Sequence, residues 1–337
     1  MKKYTVGIDI GGTNIKFGIV NDSGRIIKRS HLITERFIRD KKSLIEAVVR
    51  EIFRLIQSVG LSPKDILGIG VGLPGLVNPV KGMVDFLPNI PGWKNVPLTK
   101  IIHRETGLRV IIENDVNLIT LGEWKFGAGR GCRNLVCITL GTGVGGGLIF
   151  NNALYRGEGY AAGEIGHVPL NEKGPACNCG GYGCFECYVG NRQLLSAAAG
   201  VFKKTGIRLQ DIYPLARRGE KRALQFWKNA ATHIADGLVG VVNLLNPRLI
   251  IIGGGVANNY RFMEKTIYAV IQRRAMRVQA GMVRIARAQL GDDAGIIGAK
   301  VLLSRVSPRA EHSSNVTRCE AKDLQHDISE KRGTSLP

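Results

Sequence analysis

Glu164, His167, Cys177, Cys179, Cys184 and Glu186 lie within 23 residues of one another, in the run G-E-I-G-H-V-P-L-N-E-K-G-P-A-C-N-C-G-G-Y-G-C-F-E from Gly163 to Glu186. Three thiols and an imidazole suit a tetrahedral Zn²⁺ whose four positions are all filled by protein, a structural rather than a hydrolytic metal. The Cys-x-Cys and Cys-x4-Cys spacings, with a glycine pair between, let a tight knuckle wrap one ion. Free thiols also serve as small core hydrophobes. Gly174, Asn178, Gly180, Gly181 and Gly183 among the cysteines argue against a packed core element, and Cys187 stands outside the spacing. The two glutamates need not touch metal; as acceptors they suit a polyhydroxylated ligand held against the braced loop.

Phosphate chemistry is written elsewhere in the chain. Tyr4–Asp9 reads as a strand, Gly11-Gly12-Thr13-Asn14 as a turn and Ile15–Val20 as a returning strand. A dinucleotide fingerprint would need a helix directly after the glycines. A hairpin follows instead, as in the actin-like and hexokinase-like ATPase fold, and its turn brings backbone N–H groups to phosphate oxygens. Asp9 is placed to hold Mg²⁺ through water, and Thr13 and Lys16 are candidate phosphate contacts. The frame recurs as strand Asn134–Leu140, turn Gly141-Thr142-Gly143 through Gly147 and strand Leu148–Phe150, which points to an internal duplication. Two such hairpins facing across a cleft can clamp the phosphates of ATP. Gly254 and Gly255, after the strand Leu249–Ile252, suit close approach to an adenosine, or plain strand-to-helix packing.

Between the hairpins, E-N-D-V-N (Glu113–Asn117) follows the strand Arg109–Ile112. A carboxylate at the C-terminal end of an α/β strand sits where such folds place their chemistry. Asp115 there can take the proton of an attacking hydroxyl, and Asn114 can orient the sugar. Asn and Asp are also preferred helix N-caps, and Leu118–Phe126 is helical in pattern, so a capping role stays open for both. Asn89, in P-N-I-P-G-W, can bond sugar hydroxyls or simply serve the turn.

G-E-I-G-H followed by C-x-C-G-x-x-G-C-x-E resembles the signature of the ROK family, bacterial sugar kinases and related sugar-responsive repressors, and the resemblance extends over about residues 4–303. It implies that His167, Cys177, Cys179 and Cys184 bind zinc. It implies that Glu164, His167 and Glu186 contact the sugar, with Asn89 and Asn114, and that Asp115 is the catalytic base. MgATP is the implied donor, and the 6-hydroxyl of a hexose the implied acceptor. Within the family the motifs sit nearest bacterial glucokinases, although N-acetylglucosamine and N-acetylmannosamine kinases share them. Family repressors carry an N-terminal helix-turn-helix, for which the first strand at Tyr4 leaves no room. The family also implies a dimer or tetramer.

The elements that must position these groups follow. The expected class is α/β, a two-lobed actin-like/hexokinase-like (ribonuclease H-like) ATPase fold with internal duplication. Residues 1–117 form the first lobe, 118–291 the second with the zinc loop, and 292–304 a helix returning to the first. Residues 305–337, with six basic and five acidic residues and no apolar periodicity, read as a disordered tail. With 44% hydrophobic and 22% charged residues the composition is that of a soluble globular protein, and neither a signal peptide nor a membrane span is visible, so the cytoplasm is expected. Residues 203–287 hold 16 Lys/Arg against four Asp/Glu, a net +12 within the chain's +20. The charges are scattered over helical segments with few aromatics. They read as a solvated surface rather than a nucleic-acid face.

Overall fold

The structure is a computed structural model that describes residues 3–37, 40–87, 90 and 92–305. Asn89, and all of the expected tail beyond Arg305, lie outside the described residues. In chain order the first half runs β1 (Tyr4–Ile10), β2 (Asn14–Val20), β3 (Ile26–Ile33), α1 (Lys41–Gln57), β4 (Ile66–Leu73), β5 (Leu76–Asn78), β6 (Met83–Phe86), β7 (Lys94–Val96), α2 (Leu98–Thr106), β8 (Val110–Asn114) and α3 (Asp115–Phe126). The second runs β9 (Leu135–Leu140), β10 (Val144–Phe150), β11 (Ala153–Tyr155), α4 (Glu186–Val189), α5 (Asn191–Phe202), α6 (Leu209–Arg217), α7 (Lys221–Leu245), β12 (Leu249–Gly253), α8 (Tyr260–Arg274), α9 (Arg277–Met282), β13 (Arg284–Arg287) and α10 (Ala294–Arg305).

Two five-stranded sheets repeat one topology. The first has the order β3-β2-β1-β4-β8 and the second β11-β10-β9-β12-β13. In each, three antiparallel strands continue into two parallel ones. The duplication expected from the two glycine turns is therefore a property of whole sheets. The central parallel strands β4 and β12 are buried on both faces and read as near-continuous apolar runs, Ile250–Ile252 among them, whereas β13 leaves Arg284 and Arg287 exposed. Each sheet has its own core. Val6, Ile8, Ile69 and Val71 meet Leu44, Val48, Ile52 and Leu55 of α1 in the first. Val136, Ile138, Ile250 and Ile252 meet Trp227, Ile234, Leu238 and Ile267 in the second.

Helix α1 forms because apolar residues recur at three- and four-residue steps, and Asp40 caps it by accepting from the Lys42 N–H at 2.9 Å. Helix α10 packs against the first sheet so closely that a Cβ at Gly7 would strike the Ile296 carbonyl, and one at Gly70 would strike Ala299. On its other side a Cβ at Gly298 would strike the Leu118 carbonyl, and one at Gly122 the Ala294 carbonyl. It is thus held between the sheet and α3.

The second hairpin departs from expectation. Gly145, Gly146 and Gly147 are strand residues of β10, not turn. A side chain at these positions would run into Val116, the Gly163 carbonyl and Thr120 respectively. The glycines let α3 and the Gly163 loop lie directly on the strand. The 117/118 boundary falls inside α3, which lies against β4 and β8 of one sheet and β9 and β10 of the other.

Candidate active site

Helix α3 begins at the site. Asn114 ends β8 and caps the helix, its side-chain oxygen accepting from the N–H groups of Val116 (2.9 Å) and Asn117 (3.2 Å). Asp115 is the first helical residue, not the last strand residue, and its carboxylate accepts from the Val116 N–H at 2.9 Å. The capping reading left open for Asn114 holds. Its oxygen is committed to the helix, and its amide donates to the Gly75 carbonyl at 3.4 Å.

Burial lifts the Asp115 pKa from 3.8 to about 6, and the charges of Asp9 and Glu164 push the same way against the local backbone hydrogen bonds. Three carboxylates from β1, α3 and the loop before the Ile165–His167 turn thus share one neighbourhood. Such desolvation of an acid is what keeps a proton acceptor poised near neutrality. Behind Asp115, Glu113 is 2% exposed and takes Arg156 Nε and an Arg156 terminal nitrogen on one oxygen, both at 2.7 Å. Its other oxygen accepts from Asn117 Nδ2 at 3.0 Å and the Asn114 N–H at 3.1 Å. This pair ties β8 to the chain that leaves β11 for Glu164.

A cavity of about 200 Å³ opens beside Asp9 and Lys16. Its walls come from Thr139 of β9, Gly253–Gly255 at the end of β12, Ala257 and Asn258, Arg287 and Ala288 of the β13 end, and Gly291, Asp292, Ala294 and Gly295 before and within α10. In the hairpin register Asp9 stands opposite Lys16. Lys16 Nζ also reaches Asp292 across the cavity at 3.4 Å. Burial raises the Asp9 pKa above its usual value, with Lys16 opposing and Asp292 adding to the rise.

Of the expected nucleotide contacts, Asp9, Lys16, Gly254 and Gly255 line this cavity. Gly11, Gly12, Thr13 and Asn14 form the adjacent hairpin tip, fixed by Thr34, which donates from its hydroxyl to the Gly11 carbonyl (2.8 Å) and from its N–H to the Thr13 carbonyl (2.9 Å). Gly141, Thr142 and Gly143 do not line it. That turn is held by Glu186, whose carboxylate accepts from the Val144 N–H at 2.9 Å, and by the Asn191 N–H on the Gly141 carbonyl at 2.8 Å. One of the expected sugar acceptors therefore also braces the second hairpin. Thr139 and Arg287 escaped the sequence reading. Thr139 occupies in β9 the register that Asp9 occupies in β1, one pair before the hairpin end. The duplication, followed residue by residue, was the signal that could have found it.

The metal set assembles as its spacing suggests. The donor atoms of His167, Cys177, Cys179 and Cys184 lie within 4.8 Å of one another. Cys177 Sγ is 3.6 Å from His167 Nδ1, and Cys179 Sγ is 3.6 Å from Cys184 Sγ. Bonds of ~2.3 Å to one tetrahedral ion would set sulfurs about 3.8 Å apart, so the set fits Zn²⁺.

Two topologically repeated lobes, with glycine turns and buried carboxylates where they meet, define the two-lobed actin-like ATPase class. Within that class the chain belongs to the ROK family, whose model matches residues 5–306. Glucokinase of Thermotoga maritima is 32% identical over 315 residues, covering 90% of this chain and 98% of the relative. A xylose repressor of Caldicellulosiruptor bescii is 30% identical over 306 residues, 87% of this chain and 76% of the repressor. Among solved structures, a ROK family glucokinase from Streptomyces griseus in complex with glucose and AMPPNP matches with a TM-score of 0.75 and 32% identity. The match covers 89% of this chain and 98% of that one.

Proposed function

We propose that the protein is a sugar kinase that transfers the γ-phosphoryl group of MgATP to the 6-hydroxyl of a hexose, with glucose the first candidate. The observation that carries this reading is the Asp115 carboxyl, lifted to about 6 beside Asp9 and Glu164 near the glycine-walled cavity. Its glucokinase relatives support it.

In this mechanism ATP occupies the cavity, with the phosphates toward Lys16 and the hairpin tip Gly11–Asn14 and the nucleoside toward Gly254 and Gly255. Asp9 would hold Mg²⁺, whose charge would offset that of the phosphates. The hexose lies against Asn114, Glu164, His167 and Glu186, and Asn89 is a further proposed contact. Asp115 takes the 6-hydroxyl proton as the oxygen attacks phosphorus. Positioning and charge neutralisation do most of the work in such transfers, and the base adds about 10²–10⁴-fold. A Zn²⁺ held by His167, Cys177, Cys179 and Cys184 would be structural, fixing the loop that presents Glu164. His167 Nδ1 faces Cys177, which leaves Nε2 for the ligand side. The protein is proposed to work in the cytoplasm as a dimer or tetramer. Among the described residues no helix is long and apolar enough to cross a membrane.

A coupled ADP-release assay over glucose, mannose, fructose, N-acetylglucosamine and N-acetylmannosamine tests the proposal. Wild type should turn over one of them, and Asp115→Asn should lose at least about a hundredfold in kcat. Turnover only of an N-acetyl sugar would move the assignment within the family. Sugar binding with no turnover at all would favour the sugar-responsive regulator that the xylose repressor likeness suggests.

A further inference from the structure

Glu123 is 0% exposed and takes no part in the mechanism above. It lies eight residues along α3 from Asp115, about 12 Å at 1.5 Å per residue. Its carboxylate accepts three main-chain hydrogen bonds. Oε2 receives the Ala128 N–H at 2.9 Å, and Oε1 receives the N–H groups of Gln289 (2.8 Å) and Leu290 (2.7 Å).

The last two donors have a particular place in the fold. The Ala288 N–H still pairs with the Ile252 carbonyl in line with the β12–β13 ladder, at 2.9 Å. From there the chain must turn into α10, and Glu123 takes the next two N–H groups. Every residue that follows, from Gly291 to Gly295, belongs to the cavity wall or to the short turn Gly291–Asp293 within it. A Cβ at Gly295 would come within 3.6 Å of the Asp9 carboxyl. Next to Glu123, Gly122 lies directly against the Ala294 carbonyl. The C-terminal part of α3 therefore grips the far wall of the cavity while its first residue is Asp115.

We infer that Glu123 is a positioning residue for the nucleotide, holding the Gln289–Gly295 segment at the distance from Asp9 and Lys16 that the cavity needs. The inference rests on reading that cavity as the ATP site. A buried carboxylate with three N–H donors cannot be replaced without loss by an amide of the same shape. Glutamine brings an NH₂ group to face either the Ala128 donor or the 289/290 pair, and a buried donor left against a donor is costly.

The test is steady-state kinetics and direct nucleotide binding on full-length Glu123→Gln and Glu123→Asp, with a fluorescent ATP analogue as the binding probe. The expected result is a rise of about tenfold or more in the KM for MgATP and in the probe Kd, with the hexose KM within about twofold of wild type. A lower melting temperature with both KM values unchanged would make Glu123 a structural residue only and overturn the role. An equal rise in both KM values would overturn it as well. Hydrogen exchange on wild type covers the case in which neither variant folds. The amides of Gln289 and Leu290 should be protected before nucleotide is added, and free exchange there would sink the idea. A wild type that binds no MgATP would instead refute the function assigned to the cavity, an outcome distinct from a wild type and a variant that bind equally well.

Discussion

At the scale of single residues, Asp115 makes the sharpest prediction because its environment opposes its own charge. With an unfolded-state pKa of 3.8 and a folded-state value of about 6, the native protein holds a proton that the unfolded chain has released between those limits. Stability therefore falls as pH rises through that window, and the full cost of the buried charge persists above it. Asp115→Asn should accordingly unfold at higher urea or temperature than wild type at pH 8, by up to about 3 kcal/mol, which is about two pKa units at ~1.36 kcal/mol each. The gain should shrink toward zero near pH 4. A variant no more stable than wild type at pH 8 would mean the carboxylate is not destabilised in the fold. In wild type, the acid limb of kcat should bend near pH 6. The convergence of His167, Cys177, Cys179 and Cys184 and the place of Asp115 just past the end of β8 were legible in the sequence, because residue type and spacing carry them. Thr139, Arg287 and Glu123 were not, since each is one polar residue in an ordinary strand or helix, and only tertiary packing gives it a partner.

At the scale of elements, the loop from Gly163 to Cys184 has little regular structure, held by isolated bridges Pro169–Cys184 and Ala176–Tyr182. Backbone hydrogen bonds, among them Cys177 N–H to the Gly181 carbonyl and Gly183 N–H to the Pro175 carbonyl, fold the knuckle, and a metal on its four donors would brace it further. Metal analysis should find one zinc per chain. Removing it with a chelator should weaken hexose binding by about tenfold or more, as losing a folding-coupled ion does. Nucleotide binding should hold, because no residue between Gly157 and Glu186 lines the cavity. Isothermal titration with each ligand separates the two, and unchanged hexose affinity would remove the bracing role. Helices and parallel strands were readable from apolar periodicity, α1 and β12 especially. Strand β10 was not. Its three glycines carry no alternation, and their reason is what lies upon them, namely α3 and the Gly163 backbone. Nor does sequence say that α3 belongs to both sheets at once.

At the scale of the molecule, the order of the chain and the order of packing disagree. Helix α10, the last described element, buries Ala294, Ile296, Ile297, Ala299, Val301, Leu302 and Leu303. It covers β1, β2 and β4, formed near the start, at positions where only glycine leaves room. A chain cut after Leu290 should therefore lose the first sheet's packing as well as the cavity wall. Limited proteolysis should cleave within residues 4–114 of such a chain and spare the full-length protein. A truncated form that melts like the intact one would contradict this. Translation then sets a schedule for the cell. A nascent chain can complete its second sheet while still on the ribosome, but its oldest strands must wait, half covered, until helix α10 has emerged.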